Sequence, residues 1–304
     1  MADRLKGRVA VITGSGQGIG RATAIAMAKE GAKVVTNNRF KGTEGGDAEI
    51  TAKEITDMGG EAVPCFADVS KFDQAEKLVK TAVDNFGKVD ILVNNAAIVL
   101  GGHPWEMSEE TWDQMIAVDL KGVFNPIHFA SGIMKEQGWG RIINAASPAW
   151  LGTVERIDYC AVKAGVVGIT RAIARDMGQY GVTCNAYSPR AASRLSLRKA
   201  FLEKTTRWYE AGQISKEKYE EILHPPSPDT VAVFLVYLCT DEAANINGQV
   251  FYVTDGVVGL MSEPVMINTI YNERGIWTIE ELIKWVPTGV LQGYKNPAPP
   301  KPQK

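Results

Sequence analysis

The chain has 304 residues, 45% hydrophobic and 22% charged, with a formal net charge of −2. That profile is of an ordinary globular chain with room for one large α/β domain or two small ones, and the near-neutral balance argues against nucleic acid or an anionic membrane as partner. Cys65, Cys160, Cys184 and Cys239 form no CxxC pair and His103, His128 and His224 stand apart, so reduced thiols in a cytoplasmic protein are expected rather than a disulfide frame or a zinc site. No signal peptide, bilayer-length apolar run or internal repeat is seen.

Arg8 to Thr13 is a short β-branched run that reads as a buried parallel strand. Gly14-Ser15-Gly16-Gln17-Gly18-Ile19-Gly20 follows, then an amphipathic helix from Arg21 to Glu30 ended by Gly31. Strand, glycine turn and helix together make a dinucleotide cradle. Gly14 permits the turn, Gly18 lets the backbone approach a pyrophosphate, and Gly20 lets helix and strand pack closely. The free N–H groups at the helix start attract phosphates.

Ala32 to Asn37 is the second strand, and the residues at its end select the cofactor. A carboxylate there would accept from a ribose 2′-hydroxyl and repel a 2′-phosphate. Asn38 and Arg39 stand there instead. A neutral amide followed by a guanidinium suits a phosphate, so NADP(H) is favoured, with NAD(H) as the alternative and a solvated Arg39 as the plainer reading.

Phe40 to Asp47 reads as a loop, about Ala48 to Met58 as a helix, and Ala62 to Phe66 as the third strand. At its edge Asp68-Val69 offers a carboxylate to an adenine amino group, or caps the next helix, Gln74 to Phe86. Asp90 to Val93 is a fourth strand, ending in Asn94-Asn95-Ala96-Ala97, whose amides would tie strand ends together. A helix from Glu109 to Phe124, continuing toward Met134, contains Asp119. Gly140 to Ala145 is the fifth strand, with Ser147 just beyond it.

Next comes Tyr159-Cys160-Ala161-Val162-Lys163 at the head of a helical run to Asp176. A phenol and an ammonium four residues apart leave one helix face together. An ammonium favours the phenolate of a neighbouring phenol, so the pair is a candidate general acid–base. Val182 to Tyr187 is the sixth strand, closing at Ser188-Pro189. Strands alternating with helices imply a parallel sheet covered on both faces. Ligands of such sheets bind beyond the carboxyl ends of the strands, where Gly14, Asp68, Asn95, Ser147 and Pro189 all fall.

Taken together, Thr13-Gly14 with Gly18 and Gly20, Asn94-Asn95-Ala96, Ser147, Tyr159 with Lys163, and the Asn185 to Pro189 segment resemble the short-chain dehydrogenase/reductase family, from Leu5 to about Val258. Pro189 to Arg194 and the loop after the second strand are more loosely similar to the hydroxyacyl-CoA dehydrogenase part of peroxisomal multifunctional enzymes. The resemblance implies a doubly wound Rossmann-type domain over residues 1–258 with a seven-stranded parallel sheet and a helical substrate lid at about 190–228. It implies an NAD(P)(H)-dependent oxidoreductase that interconverts a secondary alcohol and a ketone, on a hydroxyacyl-CoA or a cyclic or aromatic alcohol. Tyr159 would be the acid–base, Lys163 would hold the nicotinamide ribose and make the phenol more acidic, and Ser147 would bind the substrate oxygen. The cofactor set would comprise Gly14, Ser15, Gln17, Gly18, Ile19, Gly20, Asn38, Arg39, Asp68, Val69, Asn95, Ala96, Tyr159, Lys163, Pro189 and Arg190. A small-molecule substrate and a homotetramer or homodimer are implied as partners.

The chain departs from the family pattern in several places. Asp119 stands where Asn is usual, in a position tied to proton transfer; an ionised Asp cannot donate. Ala97 replaces a glycine. Arg190 replaces the glycine after Pro189, losing freedom at positive φ and adding a cation that meets an anion or is plain surface. Ser147 precedes Tyr159 by one residue fewer than usual, so the loop between must be tighter. Asp119 and Arg190 leave open a second reading, a catalytically silent nicotinamide-binding subunit or redox sensor. A third is a dehydratase or epimerase using bound cofactor transiently.

After strand seven, Gln249 to Val253, Asp255-Gly256 is expected to turn the chain out into an extension, 259–304. Its apolar residues, with a helix at Trp277 to Trp285, are expected to fold over a substrate mouth of the same or a neighbouring subunit. Its Pro-rich end, from Asn296, is expected to be disordered.

Overall fold

The computed structural model describes residues 3–192, 199–212 and 214–297. The part of the lid loop at Ser193 and Arg194, and the end of the Pro-rich tail, lie outside them. The chain divides into two compact units, Met1–Met261 and Ser262–Lys304.

The first unit is built on an eight-stranded sheet in the order β3-β2-β1-β4-β5-β6-β7-β8. The strands are β1 (Val9–Ile12), β2 (Lys33–Asn38), β3 (Ala62–Phe66), β4 (Ile91–Asn94), β5 (Gly140–Ala145), β6 (Val182–Pro189), β7 (Val250–Thr254) and β8 (Val257–Leu260). All pairs but the last are parallel. The two-residue period of a strand sends alternate side chains to opposite faces. Val9, Val11, Leu92 and Ile142 therefore enter one core while Ala10, Ile12, Ile91, Val93 and Ile143 enter the other. Helices α3 (Phe72–Phe86), α5 (Gly122–Gln137) and α6 (Ile157–Met177) cover the first face with Leu78, Ile127, Met134 and Val166. On the second face lie α1 (Gly18–Lys29), α2 (Ala48–Asp57) and α9 (Asp229–Leu238), with Met27, Ile55 and Leu235. Both faces need greasy cover, which is why the strands read as unbroken apolar runs.

The strand order reverses between β1 and β4, leaving a crevice beyond their carboxyl ends. The glycine turn lies there. Gly14 and Gly18 take φ of +62° and +54°, the left-handed region that favours glycine. A Cβ on Gly20 would sit 2.4 Å from the Gly14 carbonyl oxygen and 2.9 Å from Ser15 Cα. Both obstacles are backbone and cannot swing away. Gly20→Ala is therefore expected to destabilise the protein by about 1–3 kcal/mol, read as a lower midpoint in chemical denaturation.

Three expectations are corrected. The sheet has eight strands, not seven, because Asp255-Gly256 closes a hairpin rather than turning the chain out. Thr254 pairs with Val257, and Gly256 takes φ of +64°, a turn conformation that glycine adopts without steric cost. The helix read from Glu109 is interrupted. It runs as α4 (Glu109–Met115), a π-helical stretch at Ile116–Lys121, and then α5. Asp68 does not cap α3, whose N-cap is Lys71; its carboxylate accepts instead from Ser70 N at 2.9 Å.

The lid region carries α7 (Lys199–Glu210) and α8 (Lys216–Leu223). The second unit carries α10 (Ile279–Trp285), started by a capping box in which Glu281 N donates to Thr278 Oγ1 at 3.2 Å and Thr278 N to Glu281 Oε2 at 3.0 Å.

Candidate active site

A cleft of about 590 Å³ opens at the carboxyl ends of the strands. Of the predicted residues, Gly14, Gln17, Gly18, Ile19, Asn38, Arg39, Asp68, Val69, Asn95, Ala96, Ser147, Tyr159, Lys163, Pro189 and Arg190 line it. Ser15, Gly20 and Asp119 do not. Ser15 turns inward, its Oγ accepting from Asn37 N at 2.8 Å. Gly20 packs α1 against the turn. Asp119 lies behind the wall.

The strand ends are cross-braced. Asn95 Nδ2 donates to the carbonyls of Thr13 at 3.0 Å and Gly14 at 3.1 Å, while Asn95 N and Ala96 N donate to Thr13 Oγ1, both at 2.9 Å. Tyr187 OH donates to Asn95 Oδ1 at 3.0 Å. Tyr187 is fully buried, which pushes its phenol pKa up and keeps it a neutral donor. Its part in this brace went unread in the sequence, although the strand-end position was visible. Gln17 is already engaged. Its side-chain amide donates to the carbonyls of Glu44 and, at 2.9 Å, Gly46, pinning the loop after β2.

At the end of β2, Asn38 Oδ1 is buried without a partner. It lies against Gly16, where a Cβ would come within 2.2 Å of it. Arg39 is exposed and stacks on Phe40, its guanidinium carbon 4.4 Å from the ring centroid. An orphaned acceptor, a glycine floor and a cation together fit the ribose end of a dinucleotide.

The reacting end is built from β5 and α6. Ser147, at the N-cap of the short 3₁₀ turn Pro148–Leu151, accepts from Ala149 N at 3.3 Å. The connection to α6 closes with Gly152 at φ +104° and Glu155 at φ +59°. Tyr159 and Lys163 are one turn apart on α6, and the Lys163 ammonium lies 5.4 Å from the Tyr159 ring centroid. That ammonium is fixed by the Ala145 carbonyl at 3.0 Å and the Asp119 carboxylate at 3.2 Å. Asp119 also accepts from Ile98 N at 2.8 Å. Both partners are fully buried. Burial alone would lower the Lys163 pKa, but the charges of Asp119 and Tyr159 outweigh it and push it up. Burial pushes the Asp119 pKa up against the pull of Lys163. The π-helical stretch carries Asp119, and an extra residue per turn is a recurrent way to re-aim a functional side chain.

Arg190 does not face an open anion site. It pairs with Glu221 Oε1 of α8 at 2.6 Å and donates to the Glu221 carbonyl at 2.6 Å, and Lys218 pairs with the other Glu221 oxygen at 3.0 Å. The residue thus ties the lid to the end of β6. It needs no positive φ; Glu155 is the only non-glycine residue with one among the described residues. Phe201, an aromatic of the lid segment, and Arg156 also line the cleft; no motif in the sequence marks Arg156.

Residues 8–200 match the family model for short chain dehydrogenases. The chain is 36% identical over 257 residues to a hydroxy(phenyl)methylsuccinyl-CoA dehydrogenase subunit of Thauera aromatica, covering 83% of this chain and 97% of that one. It is 36% identical over 301 residues to a hydroxyacyl-CoA dehydrogenase of Mycobacterium tuberculosis, covering 95% and 89%. The crystal structure of a short chain dehydrogenase from Mycobacterium avium superposes with a TM-score of 0.80 at 35% identity, over 97% of this chain and 98% of that one. With the cleft at the strand ends and the sheet order above, these matches make the chain a member of the short-chain dehydrogenase family of oxidoreductases.

Proposed function

We propose that the protein interconverts a secondary alcohol and a ketone by hydride transfer, with NADP(H) as cofactor and a β-hydroxyacyl thioester as the first substrate class. The observation that carries this reading is the cleft itself. Tyr159 and Ser147 line it together with the glycine turn, Asn38 and Arg39. The relatives named as hydroxy(phenyl)methylsuccinyl-CoA and hydroxyacyl-CoA dehydrogenases favour the thioester.

The turn at Gly14, Gly18 and Ile19 would hold the pyrophosphate, Asn38 and Arg39 the adenosine ribose and its phosphate, and Asp68 and Val69 the adenine. Asn95, Ala96 and Pro189 would flank the nicotinamide. When bound, the nicotinamide supplies or accepts the hydride. The chain's own residues handle the proton. In reduction Tyr159 gives its hydroxyl proton to the carbonyl oxygen; in oxidation it takes the alcohol proton. Ser147 Oγ hydrogen-bonds the same oxygen and steadies its developing charge. Lys163, anchored by Ala145 and Asp119, holds a positive charge beside the phenol and donates to the nicotinamide ribose. Because Asp119 anchors that lysine directly, the Asn-to-Asp departure leaves the ammonium held, which favours an active enzyme over a silent subunit.

The test is NADPH and NADH absorbance with acetoacetyl-CoA and a panel of cyclic and aromatic ketones. Tight cofactor binding with no turnover of any of them would sink the reading in favour of the silent subunit. Arg39→Gln is expected to raise KM for NADPH by about tenfold, with a smaller change for NADH. Equal changes for both would remove Arg39 from the 2′-phosphate site. A homotetramer or homodimer in the cytoplasm is a further part of the proposal, its assembly checked by sedimentation velocity.

A further inference from the structure

Neither the hydride nor the proton step gives Arg156 a task, yet its placement is specific. It lies directly before α6, three positions ahead of Tyr159, and lines the cleft half-buried. Its guanidinium carbon is 6.0 Å from the centroid of the Tyr159 ring and 5.6 Å from that of Phe201 on α7. The other cations lining the cleft are accounted for. Lys163 is paired with Asp119, Arg190 and Lys218 are paired with Glu221, and Arg39 stands at the end of β2. Among the described residues Arg156 has aromatic faces beside it but no carboxylate at ion-pair distance. A guanidinium does not discharge at physiological pH. Aromatic faces satisfy it less fully than an anion does.

The backbone holds this side chain where it is. Glu155, the preceding residue, sits at φ +59°. Its carbonyl accepts from Gly102 N at 2.9 Å, and Gly102 bridges to Arg156 in parallel. A Cβ on Gly101 would come within 2.8 Å of the Glu155 carbonyl, so the close approach depends on glycine there. Strain of this kind persists only where the surroundings over-determine it, and it clusters at ligand sites.

We propose that Arg156 binds a carboxylate carried on the acyl portion of the substrate, next to the reacting carbon. The preferred substrates are then β-hydroxyacyl or β-oxoacyl thioesters bearing a second, free acid group. This rests on the hydride-transfer reading above. The phosphates of a coenzyme A carrier are the other anionic source, but a pantetheine arm holds them far from the thioester, whereas Arg156 stands against the Tyr159 ring.

The test compares 2-(carboxymethyl)-3-oxobutanoyl thioester with its methyl ester, each on coenzyme A and on N-acetylcysteamine, with NADPH. Wild type is expected to favour the acid by about tenfold in kcat/KM on both carriers. Arg156→Gln should bring the acid-to-ester ratio to within about twofold of one, and Arg156→Lys should retain part of it. The ratio cancels general damage to catalysis, and if Arg156→Gln does not fold, a partial loss in Arg156→Lys carries the test. A wild-type ratio near one overturns the proposal. So does a ratio that survives in the variants, or a variant effect seen only on coenzyme A. If wild type reduces no thioester at all, the hydride-transfer reading falls instead. Calorimetric binding of the same acid and ester, with NADP⁺ present, to wild type and Arg156→Gln then judges Arg156 by the same ratio.

Discussion

Tyr159→Phe is expected to lower kcat by about 10²–10⁴-fold, the usual worth of a positioned general acid–base, while the dissociation constant for NADPH changes little. The substitution removes one oxygen and keeps the ring, so the contacts of Arg156 and Lys163 with that ring persist. Single-turnover absorbance separates the two quantities, since it reports hydride transfer after binding is complete. A variant that turned over at the wild-type rate would remove Tyr159 from the chemistry, and with it the proposed reaction.

The second large effect concerns the pair behind the cleft. Asp119→Leu leaves the Lys163 ammonium buried with the Ala145 carbonyl but no opposing charge. Breaking one side of a buried pair typically costs about 3–5 kcal/mol. A drop of that size is expected in denaturant unfolding, together with loss of activity. Asp119→Asn is the gentler probe, because an amide oxygen still accepts from Ile98 N. It also sets a pH test. The Lys163 pKa is raised in the folded state, so its contribution is fully present below the unfolded lysine value of about 10.4 and fades as pH rises through the folded value. Without the Asp119 charge the folded value falls. The stability gap between wild type and Asp119→Asn should therefore hold steady from neutral pH to about 9 and shrink only in more alkaline buffer. Thermal melts across that range check it. A gap that widened with alkali would show that Asp119 does not hold the lysine charged.

Much of the fold was legible because its signals are local. Val9 to Ile12 and Ile91 to Val93 are apolar on every residue, which only a strand buried on both faces demands. The glycine turn was legible because its constraint is a backbone dihedral and a hard contact, both set within a few residues. Tyr159 and Lys163 were legible because helical geometry alone places them together. The eighth strand had a signal too: Asp255-Gly256 between β-branched runs is a hairpin dipeptide.

The amino-acid sequence by itself thus determined seven of the eight strands and most of the helices, where the phosphate-binding turn lies, and which phenol and amine share a helix face. Each follows from spacing along one element. Only the tertiary structure decided the rest. Asp119 meets Lys163 because a π-helical turn aims it at another helix, Arg190 closes on Glu221 across the lid, and Arg156 stands by Tyr159 because Gly101 lets the chain approach. These are encounters between residues far apart in sequence. Their energies depend on burial and on partners that no periodicity encodes.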